Sequence, residues 1–517
     1  MAVSLALDVG STKLRCLAVK EDGSICSIHF EDVHNEYPSP ERIEIDPMRL
    51  WESCKTVIGK VVQDVGLEGV RCLGITTQRS GVLLWDRATG ETLCNIITWQ
   101  DRRSMSVCRG WKERWSVKML HAGAQVAHAL TRMARFKAGG ELELKYASAA
   151  PKLIWCMENI EGAKQLADQG QLCYGGIDSW ILWQLTSGQV HSMDYSQASS
   201  TNLFDPFTMS WNSIVLGIVG IPHSILPKLK DTVDDYGSCS PELFGAPIPI
   251  TASIADQQSA MFAHGCWEEG QVKSTLGTGT FLALNTGSTP LAPDGGLYPL
   301  VAWKVGSEVA FMVEGNASST GSAVEWAVKF GLMDRPEESG DLATEAGDSG
   351  GVYLVPAFDG LQAPHWDPLA AVTIIGINHT TERKHVVRAL LEAFAFHLKQ
   401  LHLVFRSTLH YRPNCIHCDG GVAKNEFLMG ITADLLQVRL ARPVEAEMTG
   451  LGAAYLAGLH SSVGLWGRRD LRGIINRRDR QDYSPKNSTM PQVVALQQSY
   501  RIWLQALERS MSWRIES

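Results

Sequence analysis

Residues 5–19 read LALDVGSTKLRCLAV: an apolar run, one aspartate at Asp8, a bend through Gly10-Ser11-Thr12, and a second apolar run. The two runs predict strands, and the bend supplies residue types that let a chain reverse tightly between them. A third run, SICSIHF at 24–30, follows a second turn, EDG at 21–23, so the chain is expected to open as three short strands in hairpins. The question this raises is what a lone carboxylate does at the tip of the first turn.

The pattern outside this stretch alternates. Asp46 and Pro47 are a cap and a first helical residue, and Leu50, Cys54, Val57, Ile58 and Val61 repeat on one helical face. VRCLGITTQ (70–78) and VLLWD (82–86) then read as strands. The opening is echoed in mid-chain by VKSTLGTGTFLALNTG (272–287), again strand, Gly-Thr turn, strand. No short repeat period exists, but two large related halves with a break near Gly265–Gly270 fit the echo. Downstream, Leu390, Phe394, Leu398, Leu401 and Phe405 keep helical spacing, and CIHCDGGVAKN (415–425) reads as strand, turn and helix start, so this half too is mixed α/β.

With 517 residues the chain has room for two or three domains, and a formal charge of −8 gives no general reason to expect nucleic acid or an anionic membrane as the main partner. Twelve scattered cysteines without framework spacing, and no secretory pattern at the N-terminus, point to a cytoplasmic setting. SIVLGIVGI (213–221) is too short to cross a bilayer and is expected as a core helix; no transmembrane segment is expected. The Arg-rich stretch at 468–480, with acidic residues interleaved, reads as solvated surface ahead of a docking patch.

Three glycine turns carry chemistry: DVGST (8–12), LGTGT (276–280) and DGGVAKN (419–425), all at strand ends. Glycine allows close approach, and successive N–H groups with Thr or Ser hydroxyls suit phosphate oxygens. No GxxxxGK[ST] occurs, and no GxGxxG joins a strand to a helix. The remaining solution is a nucleotide held between facing hairpin turns, with a carboxylate holding Mg²⁺ directly or through water. Asp8 fits that carboxylate.

ITTQRSGVLLWDRATGETL (75–93), IITWQDRR (96–103), GIDSWILWQLTSG (176–188), ADQQSAMF (255–262), TLGTGTFLALNTG (275–287), GLQAPHWDP (360–368) and DGGVAKNEFLM (419–429), in this order, resemble the glycerol kinase branch of the FGGY carbohydrate kinases. PKLIW (151–155) and GINHTTERKHVVRALLE (376–392) resemble that family's two signatures, each with one mismatch. The resemblance runs from about Leu5 to Leu465. It implies an α/β, two-domain, actin-like (ribonuclease H-like) fold with ATP and a small polyol in a central interdomain cleft. The implied reaction is Mg²⁺-assisted transfer of the ATP γ-phosphoryl group to a polyol hydroxyl, for glycerol giving glycerol 3-phosphate. Expected domains are 1–264 on the polyol and phosphate side, 265–465 on the nucleotide side, and a 466–517 extension packing on the second domain.

Position by position, the resemblance places Ser11, Thr12, Lys13 and Arg15 beside the phosphates. Thr278 faces them, and Gly321, Glu325, Gly421 and Asn425 line the nucleotide. Arg79, Ser80, Trp99, Asp256 and Gln257 fall on the polyol side, with Asp256 as general base and Asp8 serving Mg²⁺. The residue chemistry agrees: in-line phosphoryl transfer needs alignment and charge dispersal, plus one base for the attacking hydroxyl.

The main departure is Ser80, where glycerol kinases carry Glu; a neutral hydroxyl replaces a charged hydrogen bond of about 1.5–3 kcal/mol. Tyr146 is displaced by about one position from the family's substrate-side Tyr, and Glu325 stands where bacterial relatives have Gln. The readings that follow besides a glycerol kinase are a kinase for another small polyol or ketose, and a catalytically weak ATP-binding regulatory protein. Assembly into a homo-oligomer is left open. Cys415 and Cys418 have redox or zinc spacing but lack a second pair, and His397, His402 and His410 cannot share one helix face.

Overall fold

The computed structural model describes residues 2–39, 41–317 and 319–514. The opening hairpins form as expected: β1 (Val3–Val9), β2 (Lys13–Lys20) and β3 (Ile25–Asp32) pair antiparallel in sequence. Helix α1 (Pro47–Val65) follows, with the Asp46 carboxylate accepting from the N–H groups of Met48 and Arg49. Its apolar face at Leu50, Cys54, Val57, Ile58 and Val61 is buried against β2 and β3. Strand β4 (Val70–Thr77) then pairs parallel to β1.

A long excursion follows, containing α2 (Trp115–Thr131). The chain then returns as β5 (Ile250–Ala255), parallel to β4, and turns into α3 (Asp256–Ala263). The first sheet has the order β5-β4-β1-β2-β3.

The second sheet repeats this plan. It contains β6 (Val272–Leu276), β7 (Thr280–Gly287), β8 (Tyr298–Val305) and β9 (Glu308–Ala317). Helices α4 (Gly321–Lys329) and α5 (Arg383–Thr408) intervene, then β10 (Cys415–Asp419), α6 (Glu426–Leu436), β11 (Arg439–Pro443) and α7 (Met448–Gly458). Its order, with a late strand β12 (Arg480–Tyr483), is β8-β9-β7-β6-β10-β11-β12. In each sheet the first strand is central, with antiparallel hairpin strands on one side and parallel crossover strands on the other. The mid-chain echo in the sequence is therefore a repeated domain plan.

The domains are tied together by α7, which packs on β1, β4 and β5 and against α3. Hydroxyls of Ser4, Thr251 and Ser259 donate to the Ala454, Ala457 and Thr449 carbonyls of this helix. The approach is so close that a Cβ on Gly452 would overlap the Ser259 carbonyl, which is why this position carries no side chain.

Two expectations are refined. SIVLGIVGI is a core helix on one side only: it runs Ser213–Val219, closed by left-handed Gly220, with Val215 and Leu216 in the core and Ile214, 58% exposed, bordering the interdomain cavity. Two turns cannot bury every face of a uniformly apolar stretch. The Arg-rich segment forms an amphipathic helix, α8 (Arg468–Asn476), that buries Leu471, Ile474 and Ile475 while Arg469, Arg472, Arg477 and Arg480 stay exposed, as expected of a solvated surface. Arg468 and Arg472 pair with Glu308 and Glu268. Beyond it, β12 extends the second sheet and α9 (Pro491–Ser510) packs Trp503 near Phe396 and His397 of α5. Cys415 and Cys418, three apart on β10, point to opposite faces.

Candidate active site

The three glycine turns meet at one cavity of about 1010 Å³ between the domains. Ser11 Oγ lies 3.2 Å from Thr278 Oγ1, so the β1–β2 and β6–β7 turns touch across the cleft. The Gly321 N–H, at the start of α4, donates to the Gly277 carbonyl at 2.9 Å. The third turn presses on the second: Gly420 sits at φ +95°, and a Cβ there would overlap the Leu276 carbonyl. Fourteen of the fifteen residues assigned roles from the resemblance line this cavity. Asn425 does not; its Oδ1 caps α6 at the Leu428 N–H and its Nδ2 donates to Ser339 Oγ. Tyr146 is also absent from the wall and donates to the Asp359 carbonyl at 3.3 Å.

On the phosphate side, Asp8 ends β1 almost fully buried, with Arg15 Nε 3.5 Å from its carboxylate and Arg15 also paired to Glu447. Burial pushes the Asp8 carboxyl up to about 7; Arg15 restrains the rise, and the nearby charges of Asp256 and Glu447 add to it. Lys13 and Thr12 are exposed at the turn, with the Lys13 ammonium over the Phe30 ring.

On the acceptor side, β4 and β5 run parallel and end together, Thr77 beside Ala255. The residues that follow, Arg79 and Asp256, therefore emerge at the C-terminal ends of adjacent parallel strands, where open α/β sheets bind ligands. Arg79 Nε lies 3.8 Å from Asp256 Oδ1, and the same oxygen accepts the Gln257 N–H at 2.8 Å. Burial raises the Asp256 carboxyl, against the opposing pull of Arg79 and Lys273. Gln257 Oε1 accepts from Lys273 Nζ at 2.8 Å, leaving its NH₂ as a donor for a hydroxyl oxygen. Trp99 and Phe281 meet edge to face with centroids 6.4 Å apart. Ser80, at φ +61°, donates its hydroxyl to the Ser200 carbonyl at 3.1 Å.

Behind these side chains lie further charges that do not figure among the sequence expectations. Arg79 Nη2 donates to Glu314 Oε1 at 2.6 Å, and Tyr298 Oη donates to the same oxygen at 2.7 Å. Lys273 stands 3.8 Å from Asp419, which also accepts from His264 and Thr275. Burial alone would raise the Asp419 carboxyl, but Lys273 and these donors outweigh it and hold it at about 2. Nothing around Glu314 in the sequence marks it, because its partner lies 235 residues away. Asp419 had a signal, since it opens the third glycine turn.

Two sheets built on one plan around a central first strand, closing a cleft in which hairpin amides and hydroxyls face buried carboxylates, define a two-domain, actin-like phosphotransferase. The chain belongs to the FGGY family of carbohydrate kinases: residues 3–263 match that family's N-terminal domain and residues 272–461 its C-terminal domain. It is 40% identical to glycerol kinase 5 of Danio rerio over 514 residues, covering 98% of this chain and 96% of the relative. It is 35% identical to glycerol kinase 2 of Thermotoga maritima, with 99% of each covered. The Plasmodium falciparum glycerol kinase solved with ADP superposes with a TM-score of 0.85 at 29% identity, covering 100% of this chain and 99% of that one.

Proposed function

We propose that this protein transfers the γ-phosphoryl group of ATP to a terminal hydroxyl of glycerol, giving glycerol 3-phosphate. The observation that carries the reading is that Asp8, Thr278 and Asp256 share one interdomain cavity, with the Ser11 and Thr278 hydroxyls in contact. In this reading the Ser11–Thr12 and Thr278 turns hold the triphosphate from opposite domains, Lys13 and Arg15 balance its charge, and Gly321, Glu325 and Gly421 flank the nucleotide. Asp256 accepts the proton of the attacking hydroxyl, which a base within hydrogen-bond reach accelerates by ~10²–10⁴-fold. Arg79 and the Gln257 amide orient the polyol, and the Trp99 and Phe281 rings cover its carbon chain.

Asp8 is a buried carboxylate raised toward neutrality beside the phosphate turns, and a divalent cation would favour its ionised form. Among the described residues no cluster of three metal-ligating side chains exists, which suits Mg²⁺ held by one carboxylate and substrate phosphates rather than by a protein cage. When bound there, Mg²⁺ would supply charge neutralisation of the phosphate oxygens.

A second reading, a kinase for another small polyol or ketose, is favoured by one observation: the Ser80 hydroxyl is engaged by Ser200 rather than turned to the acceptor. One assay separates the two. Purified protein with Mg·ATP and a panel of polyols and ketoses is followed by ADP release and by the mass of the product. Glycerol 3-phosphate formed with the highest kcat/KM supports the first reading, and preference for another acceptor supports the second. Bound ATP with no product from any acceptor would overturn both.

A further inference from the structure

Helix α2 is apolar on two faces. Leu120, Gly123, Ala124 and Ala127 line the cavity, and Met119 borders it. A quarter to a third of a turn away, Trp115, Met119, Val126 and Leu130 form a stripe at i, i+4, i+11 and i+15, which keeps them on one side of a helix of 3.6 residues per turn. These four are 61–81% exposed, and Met133, just past left-handed Arg132, continues the stripe at 54%. Lys118, His121, Gln125 and His128 occupy the remaining polar sector, so the exposed apolar stripe is more than a solvated surface helix needs.

Charge narrows the occupant. In a chain of net charge −8, residues 109–137 carry seven Lys and Arg against the single Glu113. Lys112, Arg135 and Lys137 are balanced by Glu143, Asp205 and Asp294. Arg109, Arg114, Lys118 and Arg132 have no carboxylate partner among the described residues. An exposed stripe with Trp, Leu and Met, flanked by unpaired cations, is the composition of a helix lying in a membrane interface. No described helix is long and apolar enough to cross a membrane, so the contact is with the surface.

We propose that α2 docks this protein on an anionic lipid surface, with Trp115, Val126 and Leu130, none of which lines the cavity, entering the headgroup boundary and Arg109, Lys118 and Arg132 meeting lipid phosphates. Because an adjacent face of the same helix walls the cavity, docking brings this wall of the cavity close to the lipid. The inference is independent of which acceptor is phosphorylated.

The test is flotation of the full chain with phosphatidylcholine vesicles made with and without phosphatidylserine. The expected result is flotation that depends on phosphatidylserine and weakens with salt. Leu130→Asp and Val126→Asp, neither lining the cavity, should each lower partition about tenfold or more. Lys118→Glu with Arg132→Glu should remove the preference for phosphatidylserine. Circular dichroism and the melting temperature of each variant are expected to match wild type, which separates lost docking from lost folding. Absence of flotation by the wild-type chain, or equal flotation by Leu130→Asp, would overturn the proposal. So would a dimer in sedimentation that Leu130→Asp dissolves without any vesicle binding, since the stripe would then join two copies.

Discussion

Arg79 of the first domain donates from Nη2 to Glu314 Oε1 of the second at 2.6 Å, while Arg79 Nη1 and Glu314 Oε2, both buried, hold no hydrogen bond. Arg79 lines the cavity and Glu314 does not, so Glu314 acts on the acceptor through its hold on the Arg79 guanidinium. The charge pair also links the two domains. Glu314→Gln is expected to raise the KM for the acceptor about 10–100-fold, because a charged hydrogen bond becomes neutral. It should also lower the thermal midpoint, since breaking a buried pair costs about 3–5 kcal/mol. An unchanged KM with a lowered midpoint would leave Glu314 a purely structural residue.

Asp256→Asn removes the proposed base and keeps the shape of the side chain. Turnover should fall ~10²–10⁴-fold while ATP affinity, measured by calorimetry, stays nearly constant. Parallel loss of ATP binding would contradict the role.

The same carboxyl sets the expected pH dependence. Burial raises Asp256 above the ordinary 3.8, and Arg79 and Lys273 hold the rise in check. A base must be ionised, so kcat/KM is expected to fall as pH drops through that raised value. Lys273→Gln removes a restraining positive charge, and the acid limb should then move to higher pH. A profile that does not move would exclude Asp256 as the titrating group.

Ser80→Glu tests the acceptor. If the pocket otherwise fits glycerol, restoring a carboxylate at this left-handed position should lower the KM for glycerol roughly tenfold or more. No gain, or a loss, would mean that the acceptor sits differently.

Gly452→Ala places a methyl group against the Ser259 carbonyl where α7 meets α3. The expected destabilisation is about 1–3 kcal/mol or more, seen in thermal unfolding, because backbone on both sides blocks relief.

Features made by neighbouring residues were legible in the chain alone. The Gly-Ser-Thr hairpin with Asp8 at its tip, the Asp46-capped α1 and the second Gly-Thr hairpin follow from turn chemistry, capping and periodicity, which act over a few residues. What those rules cannot reach is decided by packing. SIVLGIVGI is a uniformly apolar run expected in a core, yet Ile214 is 58% exposed at the cavity, because exposure depends on what the rest of the fold brings against a face. Asn425 caps a helix rather than lining the cavity for the same reason. The Arg79–Glu314 pair joins residues 235 apart, and only the closing of one sheet against the other makes them neighbours.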